Sequence, residues 1–282
     1  MNMRRPLASF FISSAAFSFL SCQPAAPLTA HLETQSPLQT VTIPFAHSVP
    51  VHAPSSPLSA PSIVRKTIHS IDFEGVAFDA RSHRLLVVDQ PNGPGSAFNT
   101  ARDLATSHGA LVAINAGFFT PEGNPLGLVI TNGRSFGTWN SASSLGSGIF
   151  SESSSGELSI SRRGSASAFQ SARELIQAGP LLIENGRSIG GLDTEKTAVR
   201  SIILTDGGTR WWIGRTSLCT LSALGAALAA HSPAPWPIRQ ALNLDGGRST
   251  DLFVSMKIPG GPLERRGILN RPVRNFLILR PR

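Results

Sequence analysis

The chain has 282 residues, 41% of them hydrophobic and 15% charged. That is enough for one large domain or two small ones, and it excludes a wholly disordered chain. The formal charge of +8 is concentrated: residues 257–282 hold seven bases against Glu264 alone, and because aromatic and basic residues are not interleaved there, nucleic-acid binding is not indicated. With 22 arginines and three lysines, the basicity is mostly guanidinium, whose forked donors suit phosphate or carboxylate.

Residues 1–21 read as a signal peptide. Arg4 and Arg5 precede an uncharged run from Leu7 to Leu20, which is short of the roughly 20 apolar residues of a spanning helix. Ser21-Cys22 at its end resembles the bacterial lipobox, which predicts lipidation at Cys22 and a membrane-anchored, extracytoplasmic lipoprotein of the cell envelope. Phe19 departs from that pattern, and cleavage near Ala25-Ala26 into a secreted form is the alternative. Residues 22–62 contain eight prolines and one acid, with His31, His47 and His52 too scattered for a metal site. They read as a Pro/Ser-rich flexible tether. Two cysteines in all give no disulfide framework, and Cys219 reads as a small core residue on a helix.

Residues 63–282 read as a single domain. Apolar strand patterns recur at Ile68-Phe73, Leu85-Asp89, Ala110-Asn115, Leu126-Thr131, Leu181-Glu184 and Ser201-Thr205, then at Trp211-Gly214, Ala241-Leu244, Leu252-Val254 and Phe276-Leu279. Helical periodicity covers Thr100-Ser107, Ala166-Ile176 and Ser217-Ala230. Strands outnumber helices without strict alternation, which predicts an α+β fold: a mixed, mostly antiparallel sheet core packed by two or three helices.

A short internal echo, LVITNGRSFG from Leu128 and LLIENGRSIG from Leu181, twice contains G-x-S-x-G, the pattern of a hydrolase nucleophile elbow. An elbow needs a helix directly after the serine, and the residues after Ser135 and Ser188 are Ser, Thr, Gly and charge mixtures. Asn-Gly between extended segments instead predicts two equivalent hairpins.

Three segments share a strand, a polar residue and a glycine turn: Asn115 before Ala116-Gly117-Phe118-Phe119, Gln177 before Gly179-Pro180, and Asp245 before Gly246-Gly247. Glycine turns let backbone N–H groups approach an anion, and a carboxylate held beside them can act as a base or an electrostatic stabiliser. The Asp-Gly-Gly run lacks the oxygen-ligand spacing of an EF-hand loop.

Taken in order, NAGFF with its proline-glycine turn and LGLVITNGR, QAGPLLIENGR, VRSIILTDGGTRWWIG, ALNLDGGRST and RPVRNFLIL resemble the phosphodiester glycosidase family over most of the domain. The resemblance implies hydrolysis of a sugar linked through its anomeric carbon to a phosphodiester, in an envelope or extracellular glycan. It casts Asp245 as the carboxylate that activates water or stabilises the oxocarbenium-like centre, with Arg200 and Arg248 on the phosphate. Asn115, Gln177 and Asn275 then hold sugar hydroxyls or orient Asp245, Phe118 offers a ring, and Gly117, Glu122, Gly246, Gly247 and Ser249 complete the substrate contacts. Ala116 and Arg248 depart from the family's usual residues, and Arg248 adds a cation beside the anion site. No cofactor is called for, and metal use is left open. The competing reading is a non-catalytic surface lipoprotein that binds anionic glycan in the same pocket.

Overall fold

The computed structural model describes residues 60–164 and 171–282. The leader, Cys22 and most of the tether lie outside the described residues. In chain order the elements begin with β1 (Ser62–Ile68), β2 (Ile71–Asp79), β3 (His83–Asp89), α1 (Ala101–His108), β4 (Val112–Asn115), β5 (Val129–Thr131) and β6 (Arg134–Phe136). Next come β7 (Gly148–Ser153), β8 (Leu158–Arg162), β9 (Ala172–Ala178), β10 (Leu181–Glu184), β11 (Arg187–Ser188), β12 (Ser201–Thr205) and β13 (Arg210–Thr216). The chain closes with α2 (Leu221–Ala230), β14 (Gln240–Asn243), β15 (Asp251–Val254), β16 (Leu263–Arg266) and β17 (Asn275–Pro281).

The expected single sheet core is three sheets, mainly β, with two α-helices among the described residues. Their orders are β1-β2-β13-β12-β14-β10-β11, then β16-β15-β4-β17-β3, then β6-β5-β9-β7-β8. Strand alternation sorts the side chains between layers. Val76 and Phe78 of β2, Val112 and Ile114 of β4, Phe150 of β7 and Leu277 of β17 meet in one core fed by all three sheets. The opposite faces carry the helices: Phe73, Trp212 and Ala241 pack with Leu224 and Leu228 of α2, and Ala113, Phe276 and Ile278 pack with Leu104 and Ala105 of α1.

Both Asn-Gly hairpins form, joining β5 to β6 and β10 to β11, with Asn132, Gly133, Asn185 and Gly186 all at positive φ. Ser135 and Ser188 sit on the outgoing strands. Three other expectations need correction. Ile68-Phe73 is broken by a turn in which His69 and Ser70 take positive φ, without the Asn or Gly that advertises one. Ala172–Ala178 is the strand β9 despite its helix-favouring Arg, Glu, Leu and Gln, because pairing with β5 and β7 overrides intrinsic preference. The second helix starts at Leu221, capped by the Thr220 hydroxyl; Cys219 precedes it, bridged to Ala198 and buried, and burial pushes its thiol up.

Buried acids give the fold a definite pH response. Burial pushes the Glu174 carboxyl up to about 7 and raises Asp251. Folded acids with raised values keep protons that the unfolded chain releases, so stability falls as pH rises from about 4 toward 7. For Glu74 and Asp79, burial is outweighed by arginine hydrogen bonds and the values are lowered, so their contribution is lost below about pH 4. His83, lowered by burial, opposes the first trend on its own. The melting temperature is therefore expected to be higher at pH 5 than at pH 8 and to drop again below pH 4, which calorimetry across that range checks; a flat or rising profile from 5 to 8 would contradict it.

Candidate active site

A cleft of about 700 Å³ opens where the ends of β9, β10, β12 and β14 meet the 191–198 loop and the start of α2, a volume suited to a small ligand. Asp245 sits in it, partly open, one residue beyond the Leu244 that follows β14. Its backbone is clamped: its N–H donates to the Ala116 carbonyl (2.8 Å), and its own carbonyl accepts from Asn115 Nδ2 (2.6 Å). The carboxylate accepts from the Gly246 N–H (2.9 Å) and from the Ser249 hydroxyl. Burial pushes Asp245 up to about 6, against the pull of those two bonds and the Lys196 charge. Such a group is ionised at neutral pH and titrates within reach of it.

Cations line the same cleft. Arg200 precedes β12 and is 7% exposed. Its Nη2 donates to the Lys196 carbonyl (2.6 Å) and its Nε to the Cys219 carbonyl (3.3 Å). It makes no ion pair among the described residues, and burial lowers its pKa. A buried guanidinium spent only on neutral carbonyls retains a charge to offer an anion. Lys196 and Arg248 are exposed on the rim. The opposing wall is less charged, with Phe118, Leu145 and Pro180.

The glycine turns differ from expectation. Gly246 N–H serves Asp245, Gly247 N–H goes to the Val199 carbonyl (2.8 Å), and Gly117 N–H goes to Asn275 Oδ1 (2.6 Å). Their donors position the site and are not left for a ligand. What glycine supplies at 246 is closeness, since a Cβ there would lie 2.7 Å from the Val199 carbonyl.

Of the residues singled out from sequence, Asp245, Arg200, Phe118, Gly246, Gly247, Arg248 and Ser249 share the cleft. Asn115, fully buried, touches Asp245 from behind, and its Oδ1 takes the Ser201 hydroxyl (2.7 Å) and the Asp251 N–H (3.1 Å). It is a positioning residue. Gly117 and Asn275 pair with each other beneath the floor, away from the lining. Glu122 is not brought in: it is an exposed turn residue lowered by a Thr120 hydrogen bond, because the backbone of its turn faces inward, where Gly123 O receives Arg274.

Gln177 is likewise outside the lining. Its Oε1 accepts from Leu128 N (3.0 Å) and Asn140 N (2.9 Å), and its Nε2 donates to Asn140 O (2.8 Å) and Gly146 O (2.9 Å). It fastens the loop that carries Leu145. Gln177→Ala should therefore lower unfolding free energy by roughly 3 kcal/mol, since several buried backbone groups lose partners. Urea denaturation tests this; a changed KM at unchanged stability would instead make Gln177 a ligand contact.

The polar lining residues that the sequence did not single out include Asn243, Lys196 and Asp193. Asn243 donates to Gly179 O (2.8 Å), and its buried Oδ1 has no protein partner. Its place two residues before Asp245 was the available signal. Lys196, in a loop of mixed charge, carried none.

A family model described as phosphodiester glycosidase matches residues 108–280. The fold is similar to that of a hypothetical protein from Synechocystis, with 17% identity and a TM-score of 0.57, over 79% of this chain and 62% of that one. It is also similar to the catalytic domain of zebrafish N-acetylglucosamine-1-phosphodiester alpha-N-acetylglucosaminidase auto-inhibited by its pro-peptide, with 17% identity and a TM-score of 0.55, over 82% of this chain and 86% of that one. The chain thus spans 62% of the length of the Synechocystis protein. Comparison with curated proteins gives no match.

Proposed function

The chain belongs to the phosphodiester glycosidase family, and we propose that it is an extracytoplasmic hydrolase that splits the bond between a sugar's anomeric carbon and a phosphodiester. The observation that carries this reading is the pairing, in one cleft, of a carboxylate pushed up to about 6 with a buried arginine that no carboxylate contacts directly among the described residues, the charge of Asp193 reaching it only from a distance.

Each group has a task in that chemistry. Asp245, ionised at neutral pH, faces the anomeric carbon and either takes the proton of the attacking water or stabilises the positive charge that develops there. The anomeric C–O bond breaks, its electron pair leaves with the phosphate, and water supplies the new hydroxyl. Phosphate monoester is a good leaving group, so cations stabilise it in place of a strong general acid. Arg200 takes that part, with Lys196 and Arg248 at the rim. Phe118 and Leu145 offer the apolar face of a sugar its wall. Asn115 acts through the Asp245 backbone.

The leader and the Ser21-Cys22 junction support secretion with lipidation at Cys22, which would hold the domain in the cell envelope near phosphate-linked glycans. The test is incubation of the protein with a panel of sugar-1-phosphodiesters, scoring free sugar. Release from at least one supports hydrolysis, and tight binding of one without release would turn the assignment to a glycan-binding lipoprotein.

A further inference from the structure

We propose that the loop 267–271 is a membrane-docking element that seats the mouth of the cleft on an anionic lipid surface. Ile268 is 103% exposed and Leu269 73% exposed, two adjacent aliphatic side chains given largely to water. Isolated exposed leucines are ordinary. These two are held out by a tightly bonded turn: Arg248 Nε grips the Leu269 carbonyl (3.0 Å), the Arg271 N–H donates to the Arg248 carbonyl (3.2 Å), Arg266 reaches the Asn270 carbonyl (3.3 Å), and Asn270 Nδ2 donates to the Thr250 carbonyl. The turn is therefore presented as a fixed tip.

Charge selects the partner. Arg248 and Arg271, both exposed, make no ion pair among the described residues, whereas Arg266 is tied to Asp251 and Arg265 to Glu74. An aliphatic tip flanked by guanidiniums that no carboxylate neutralises matches the boundary between acyl chains and anionic headgroups. A hydrated glycan would use the guanidiniums and leave Ile268 and Leu269 without a role. Because Arg248 belongs to both the cleft rim and this turn, docking brings the cleft mouth to headgroup level. Membrane contact is otherwise expected only through Cys22, and this surface is independent of it. That the cleft would then face membrane-borne phosphodiesters rests on the glycosidase reading, whereas the docking does not.

The test needs a local probe, because the N-terminal segment could hold the chain on vesicles by itself. In the full chain with Cys22→Ser, the remaining Cys219 is buried, so Ile268→Cys can be labelled with an environment-sensitive dye. Met256→Cys, beyond the other end of β15 and 76% exposed, serves as the reference. On phosphatidylglycerol vesicles the dye at 268 should brighten, shift to the blue and lose access to iodide, while the dye at 256 should not. Arg271→Gln should weaken the docking equilibrium roughly fivefold, the share of one cation at such a surface. The proposal is overturned if the chain pellets with the vesicles while the dye at 268 stays as open to iodide as that at 256. Protection that grows with protein concentration in the absence of lipid would overturn it in favour of a second copy of the chain. Equal protection on phosphatidylcholine, unaffected by Arg271→Gln, would remove the anionic surface.

Discussion

Asp245→Asn is expected to lower kcat by about 100-fold to 10,000-fold on any sugar phosphodiester the protein hydrolyses, the range seen when a general base or nucleophile is lost. The amide is nearly isosteric, and the clamp on the Asp245 backbone from Ala116 and Asn115 is unaffected by the side-chain change, so fold and much of the binding should persist. In the wild type, kcat/KM should rise with pH through an apparent value of about 6, the pH at which the buried carboxyl ionises. Lys196→Met should move that limb to higher pH, because the lysine charge favours the ionised form. The stability signs follow the same linkage. Folded Asp245 keeps its proton to about 6 while the unfolded chain releases it at 3.8, so the burden of the buried charge appears as pH rises across that window. The Asn variant has no charge to bury. It should match the wild type near pH 4 and exceed it at pH 8 by on the order of 1 kcal/mol, allowing for screening through the open cleft. Near-full turnover by the Asn variant would place the catalytic carboxylate elsewhere.

Gly75→Ala and Gly214→Ala should each cost more than about 4 kcal/mol, the scale reserved for severe core clashes, and leave little soluble protein. The two glycines oppose each other across β2 and β13, and the Trp212 indole crosses them. A Cβ on Gly75 would lie 2.2 Å from the Ile213 carbonyl and 2.5 Å from Trp212; one on Gly214 would lie 2.4 Å from the Glu74 carbonyl and 2.6 Å from Trp212. Two of those neighbours are backbone and cannot swing aside, and Trp212 is fully buried. Gly190→Ala is the control: nothing lies within 4 Å of its added Cβ, so its effect should stay within about 0.5 kcal/mol. Thermal melts of the three variants decide this, and a stable Gly214→Ala protein would mean that the sheet can part there.

What the sequence by itself determined is local. Apolar runs marked β4 and β17 as strands, Asn-Gly set both echo hairpins because two successive residues must take positive φ, and Asp245 was recognisable as a carboxylate at a strand end before two glycines. The family segments likewise carried the assignment over residues 108–280. Only the tertiary structure decided what depends on partners distant in the chain. It made a strand of helix-favouring Ala172–Ala178, since neighbours on both sides outweigh intrinsic preference. It divided the strands into three sheets, placed Gly75 against Gly214, and spent the glycine-turn donors within the protein. It also turned Gln177 and Glu122 away from the cleft and brought in Lys196 and Asn243. Burial, too, is a property of the assembled fold, and it is burial that moves Asp245 to about 6 and lowers the pKa of Arg200, which no carboxylate contacts directly among the described residues and which Asp193 favours only from a distance. A residue's type and spacing limit the chemistry it can do, but its desolvation and its charged neighbours are set by segments it meets only when the chain has folded.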